Sequence, residues 1–195
     1  MNPDGLGQSL PTLPGRAFCF RWLGEADLPE LQEIFGDADV VRFMALTRLT
    51  NRKQAQRFLN SILQGFASGT LYQWGLEYRG RIIGSCTLAA IDRSHRRAEI
   101  GFALARRFQG RGLMAEAVPL VLDFAFKQLA LHRVEADVDP RNKASLVLLE
   151  KLGFRREGLL RERFTDEEGF QDSLMLGLLS REWCNANRPA ASGGN

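Results

Sequence analysis

The residues with chemistry to offer stand together between an alternating stretch and a helical one. Arg106-Arg107-Phe108-Gln109-Gly110-Arg111-Gly112 place three cations and two glycines in seven residues. Before them, Ala98, Ile100, Phe102 and Leu104 alternate with Glu99, Gly101 and Ala103, the period of a strand. After them, Met114, Ala117, Val118, Val121, Phe124 and Ala125 recur at helical spacing. A strand that feeds a glycine-bearing turn and then a helix start makes an anion cradle. The first N–H groups of the helix have no intrahelical acceptor, and the helix dipole adds positive potential there. Gly110 and Gly112 keep side chains out from between that backbone and a phosphate.

Two familiar phosphate motifs fit poorly. Gly110-Arg111-Gly112-Leu113-Met114-Ala115 has the letters of the dinucleotide fingerprint, with Glu135 about 20 residues on. That fingerprint begins at the strand end, however, and several residues separate Leu104 from Gly110. Glu135 also falls inside a strand pattern. A P-loop needs Gly-Lys-Ser/Thr, and Gly112 precedes Leu113 and Met114.

The elements that must hold this turn follow from periodicity and punctuation. Residues 1–16 are rich in Gly and Pro and predict a flexible tail. Phe18, Phe20 and Trp22 alternate as a first strand. Asp27 caps a helix over Leu28 to Phe35, and Asn51 or Thr50 opens a second through Phe66. Leu71 to Tyr78, Arg81 to Ile91 and Ala98 to Leu104 read as three antiparallel strands on short turns. The helix after Gly112 contains Pro119, which predicts a kink. Arg133 to Val138 is a strand reached by a parallel crossover. Asn142 caps a helix over Lys143 to Leu152, closed by Gly153. Phe154 onward and Gln171 to Leu179 form a terminal hairpin around residues 166–169, and 185–195 form a flexible tail. The order is β-α-α-β-β-β-α-β-α-β-β: an α/β class with a mixed, mostly antiparallel sheet and one parallel step, in one domain over residues 17–184.

Composition narrows the classes. At 195 residues, with 45% hydrophobic and 25% charged residues, the chain suits one soluble globular domain. A net charge of +3 is too mild to argue for nucleic acid, though it suits a small polyanion. The Arg-rich turn invites an RNA-binding reading, which no aromatic platform or recognition helix supports. No apolar run reaches membrane-spanning length, and the first residues lack the basic start and apolar core of a signal peptide. Cys19, Cys86 and Cys184 have no metal spacing and point to a reducing, cytoplasmic setting. His95 and His132 are far apart, so no metal centre is expected.

Arg107-x-x-Gly110-x-Gly112 matches the Q/R-x-x-G-x-G/A loop of the GNAT superfamily of N-acetyltransferases. The flanking marks extend the match. They are Ala98-Glu99-Ile100-Gly101-Phe102, Gln109-Gly110-Arg111-Gly112, Glu116-Ala117, Asn142-x-x-Ser145, Leu152-Gly153-Phe154, Glu157-Gly158 and Glu182-Trp183. In this order, from about Phe18 to Trp183, the chain resembles the GNAT branch of ribosomal-protein-alanine N-acetyltransferases. The resemblance implies a GNAT-like sheet with a central splayed parallel pair. It also implies direct transfer of acetyl from acetyl-CoA to an amine.

On that resemblance, Arg107, Phe108, Gln109, Gly110, Arg111, Gly112 and Leu113 hold the coenzyme A pyrophosphate, and Phe102, Ala103 and Leu104 flank the pantetheine arm. An N–H of Ala103 or Leu104 would face the thioester oxygen. Glu99 is the expected general base, directly or through a water; it reads equally well as a surface carboxylate paired with Arg97. Ser145 is the expected proton donor to the thiolate, or a residue of the helix cap. Asn142 caps that helix, bonds coenzyme A, or both. Many members carry a Tyr on this helix where the matching residue here is Leu149. Phe43, Met44 and Leu46, with Tyr72 and Trp74, are available to line an acceptor site or the core. The acceptor expected is a protein N-terminal α-amine, the alternatives being an antibiotic, a polyamine, or none at all in a regulatory coenzyme A-binding module. A monomer or homodimer is expected.

Overall fold

The computed structural model describes residues 2–166 and 169–186. Residues 167–168 of the expected turn at 166–169, and 187–195 of the expected tail at 185–195, lie outside the described residues. Eight strands form one sheet: β1 (Leu13–Pro14), β2 (Phe18–Arg21), β3 (Tyr72–Tyr78), β4 (Arg81–Asp92), β5 (Arg97–Leu104), β6 (Arg133–Val138), β7 (Arg155–Asp166) and β8 (Gly169–Leu179). Their order across the sheet is β1-β2-β3-β4-β5-β6-β8-β7. Every pairing is antiparallel except β5–β6. Among the described residues the α-helices are α1 (Leu28–Gly36), α2 (Ala38–Val41), α3 (Arg52–Ser68), α4 (Leu113–Asp123), α5 (Lys143–Lys151) and α6 (Ser180–Ala186). The elements read from sequence are present, with β1, α2 and α6 added.

Strand alternation sorts the side chains into two cores. Trp74, Cys86, Leu88, Ala98, Ile100, Val134, Ala136 and Leu176 share one cluster with the α4 residues Ala117, Val118 and Val121 and the α5 residues Leu146 and Leu149. On the other face, α1 and α3 bury Leu31, Ile34, Phe35, Leu59 and Ile62 against Ile82, Ala103 and Ala105. Local chemistry sets the helix ends. The Asn51 side chain accepts from the N–H of Gln54 at the start of α3, and Gly69 ends it in the left-handed region at φ 69°.

Within residues 2–16 several groups are held against the rest of the chain. Leu10 is buried. Asn2 Nδ2 donates to the Phe66 carbonyl at 2.6 Å, and Trp74 Nε1 donates to the Pro11 carbonyl at 2.9 Å. The Tyr72 hydroxyl donates to Asn2 Oδ1 and to Asp4, whose carboxylate also pairs with Arg93. A segment without regular hydrogen bonding becomes fixed when its polar groups satisfy buried partners in this way. Helix α4 continues through Pro119, and below it Phe124–Gln128 forms a π turn with the Leu129 N–H donating to the Phe124 carbonyl.

Candidate active site

The site begins where two strands part. β5 and β6 pair through three residues only, Arg97 with Arg133, Ala98 with Val134 and Glu99 with Glu135. Both strands run on past that point, β5 to Leu104 and β6 to Val138, with no pairing between them. The backbone of β5 beyond Glu99 therefore turns hydrogen-bonding groups into a gap. Ala105 donates to the Ile83 carbonyl of β4 at 2.8 Å. Alternation then directs the Ala103 N–H toward β4 and the N–H groups of Leu104 and Phe102 toward the gap. Of the two expected oxyanion donors, Leu104 is the one so placed.

A cavity of about 290 Å³ fills the parting. Its floor is Gln73, Ser85, Thr87, Gly101 and Ala103, its far side Asp137 and Val138, and its lid the loop of Phe43, Met44 and Ala45. Phe35 and Phe58 close one end, and Ser145 and Leu149 of α5 reach it from the other face of the sheet. Phe102 also lines it. Of the aromatic and apolar residues offered for an acceptor site, Phe43 and Met44 line this space. Leu46 packs on the second core, and Tyr72 and Trp74 are fully buried elsewhere.

The turn after β5 is held from three sides. Gln109 Nε2 donates to the Leu104 carbonyl at 2.9 Å, which ties the loop to the strand end. Phe108 meets Tyr78 edge-on at 6.1 Å, with the Arg107 and Arg111 guanidinium groups over its ring. Arg106 pairs with Asp39, and Arg107 with Glu33 at 2.5 Å. Both of these cations are thus partly neutralised by α1 and α2, which leaves Arg111 and the backbone N–H groups as the principal anion donors. Gly110 and Gly112 adopt φ 72° and 76°, and a Cβ built on either meets nothing within 4 Å. Gly112 is the N-cap of α4, with Leu113 its first residue, so the free N–H groups of the first turn open onto unobstructed space. A pyrophosphate fits this chemistry.

Ser145 of α5 lines the cavity, and Glu99 stands on β5 at the last residue paired with β6, just before the parting. Asn142 Oδ1 accepts from the Ser145 N–H at 3.2 Å, so Asn142 caps α5. Glu99 is half-buried and lies across from Glu135 on the sheet face that carries Asp137. Burial raises its pKa first, and the neighbouring Asp137 and Glu135 carboxylates add to the rise, while Arg163 and Arg97 oppose it. Asp137 is a residue that the sequence reading missed. Its signal was the alternation of Arg133, Glu135 and Asp137 against Val134, Ala136 and Val138, which sets it on the face of Glu99.

A family model described as the acetyltransferase (GNAT) domain matches residues 18–155. The chain belongs to the GNAT acetyltransferases. It is 32% identical over 176 residues to an uncharacterised N-acetyltransferase, p20, of Bacillus licheniformis, covering 89% of this chain and 99% of that one. It is 28% identical over 131 residues to the [ribosomal protein uS5]-alanine N-acetyltransferase of Escherichia coli, covering 66% and 68%. In fold it is similar to the spermidine N-acetyltransferase of Vibrio cholerae solved with CoA and spermine, at a TM-score of 0.79 and 23% identity over 87% of this chain and 99% of that one. The GNAT assignment makes this chain an N-acetyltransferase and agrees with the mixed sheet and its single parallel pair.

Proposed function

We propose that this acetyltransferase moves acetyl from acetyl-CoA to the α-amine of a protein N-terminus by direct transfer in a ternary complex. The observation that carries the reading is the parting of β5 from β6, with Glu99 at the last paired residue, Ser145 lining the cavity and a phosphate cradle beyond the end of β5. The pyrophosphate lies on the first turn of α4, and the pantetheine arm adds to the free edge of β5 as a further strand would. The Leu104 N–H supports the oxygen of the tetrahedral intermediate. Glu99, with its raised pKa, takes the ammonium proton directly or through a water. The amine nitrogen then bonds the thioester carbon, the carbon–sulfur bond breaks, and the Ser145 hydroxyl stands near the departing thiolate to orient or protonate it.

The apolar wall of Phe35, Phe43, Met44 and Phe58 favours an acceptor with a side chain beside its amine, as a protein N-terminus has. Similarity to the E. coli enzyme acting on ribosomal protein uS5 supports the same choice. The carboxylate face of Glu99, Glu135 and Asp137 favours the second reading, a polyamine. Calorimetric titration with acetyl-CoA, with NADH and ATP as controls, tests the first step. Transfer to peptides beginning in Ala or Ser, measured against spermidine, tests the second. Tight acetyl-CoA binding with peptide turnover is expected. Binding without turnover on either acceptor class overturns the catalytic reading in favour of a coenzyme A sensor, and NADH binding overturns the cradle assignment.

A further inference from the structure

The mechanism above leaves one carboxylate of the cavity without a task. Asp137 sits on β6 beyond the last residue paired with β5, and it lines the cavity. One of its oxygens is fixed: Oδ1 accepts from the hydroxyl of Ser173, a residue of β8 with no exposed surface. Its other oxygen is held loosely, since Arg163 Nε stands 3.7 Å from Oδ2 and the Arg163 side chain is 55% exposed. Arg163 belongs to an irregular piece of β7, where register shifts between Leu160 and Phe164 and Glu162 takes φ 53°. A carboxylate with one oxygen pinned and the other under a loose, exposed cation is organised to exchange that cation for another.

The geometry points to Asp137 as the group that receives the acceptor's ammonium, with Arg163 as the cation it displaces. The inference rests on the acetyl-transfer reading and adds a specificity residue to it. Acceptors arrive charged, because an α-amine titrates near 8 and an aliphatic amine near 10. A charged nitrogen needs a landing point before it gives its proton to Glu99, and Asp137 supplies one on the same face. Asp137 thereby selects primary and secondary amines over hydroxyl or thiol acceptors. It sets the entry orientation with the nitrogen toward β5 and the remainder of the acceptor toward Phe43 and Met44.

The test uses the full chain saturated with coenzyme A, so that no turnover occurs, and calorimetric binding of spermidine and of a short alanine-initiated peptide. Asp137→Asn is expected to weaken the preferred amine at least tenfold with coenzyme A affinity within twofold. Ser173→Ala should weaken it several-fold, and Arg163→Gln should tighten it several-fold, an opposite sign that a purely structural role would not give. Thermal melts establish that each variant is folded; should Asp137→Asn unfold, the paired signs of the other two decide. Unchanged amine affinity in Asp137→Asn, weaker binding in Arg163→Gln, or no binding of either amine by the wild type overturns the inference. Failure of the wild type to bind coenzyme A overturns the acetyl-transfer reading beneath it.

Discussion

Replacing Gly112 by Ala separates backbone strain from ligand recognition. Gly112 lies at φ 76° and ψ −2°, and its added Cβ would meet nothing within 4 Å. The methyl group thus brings no clash, and the folding cost reduces to placing an L-residue in the left-handed region, about 1–2 kcal/mol. For a domain of this size that corresponds to a melting shift of roughly 2–8 °C. Binding suffers separately, because the methyl would stand where a phosphate approaches the N–H groups of α4. Losing one hydrogen bond to a charged oxygen costs about 1.5–3 kcal/mol, which is roughly a ten- to hundredfold loss of affinity. Gly153→Ala is the matched control. It has φ 95°, its Cβ would make only an ordinary 3.5 Å contact with Leu178, and it lies at the end of α5. Calorimetry with acetyl-CoA and a thermal melt are run on both variants. Both should melt lower, and Gly112→Ala alone should lose acetyl-CoA. Equal affinity in the two variants would refute the cradle.

Four further outcomes are expected. Glu99→Gln should lower kcat by about 10²–10⁴-fold, the usual worth of a positioned base, while calorimetry finds acetyl-CoA affinity unchanged; a loss under threefold in steady-state kinetics removes Glu99 from the mechanism. The acid limb of the kcat/KM profile should lie above the ordinary carboxylate value of about 4.3, since burial and then Asp137 and Glu135 raise Glu99 against Arg163 and Arg97. Asp137→Asn should move that limb down. The same shift sets a sign for stability, because the folded chain holds this proton more tightly. Its contribution is present below the unfolded pKa and is lost as pH rises through the raised one, and pH-dependent melts of wild type and Glu99→Gln measure it. Deleting residues 2–11 removes the burial of Leu10, about 2 kcal/mol, and the bonds to Phe66 and Trp74, about 1 kcal/mol each. The melt should fall by roughly ten degrees with acetyl-CoA affinity intact, as Asp4 bonds Arg93 at the far end of β5 from the loop; an unchanged melt would show the packing to be idle.

The parts of the site set by local rules were legible in the sequence. Gly110 and Gly112 between a period-two and a helical stretch predict a cradle, and both glycines take the positive φ that suits one. The parallel crossover followed from a helix between two strands. The length of the β5–β6 pairing did not, since the residues that part, Ile100 to Leu104, alternate just as paired residues do. Asp137 was concealed for a related reason. Alternation gives its face, but only the register of β6 against β5 places it beside Glu99 at the cavity. The N-terminal packing left no periodic trace at all, because Asn2, Asp4 and Pro11 are fixed by side-chain and carbonyl bonds to groups distant in sequence.

The bond from Gln109 to the Leu104 carbonyl joins the loop proposed to grip one end of the ligand to the strand proposed to serve the other. The two grips are consequently points on one stiff caliper, whose span is set by covalent geometry and one hydrogen bond. A ligand anchored by its phosphates has its reactive carbon delivered to a fixed depth. Any acyl group longer than acetyl must extend past that depth. Discrimination among acyl donors is then a matter of length measured against a fixed mark, and the residues that define the mark never touch the acyl group.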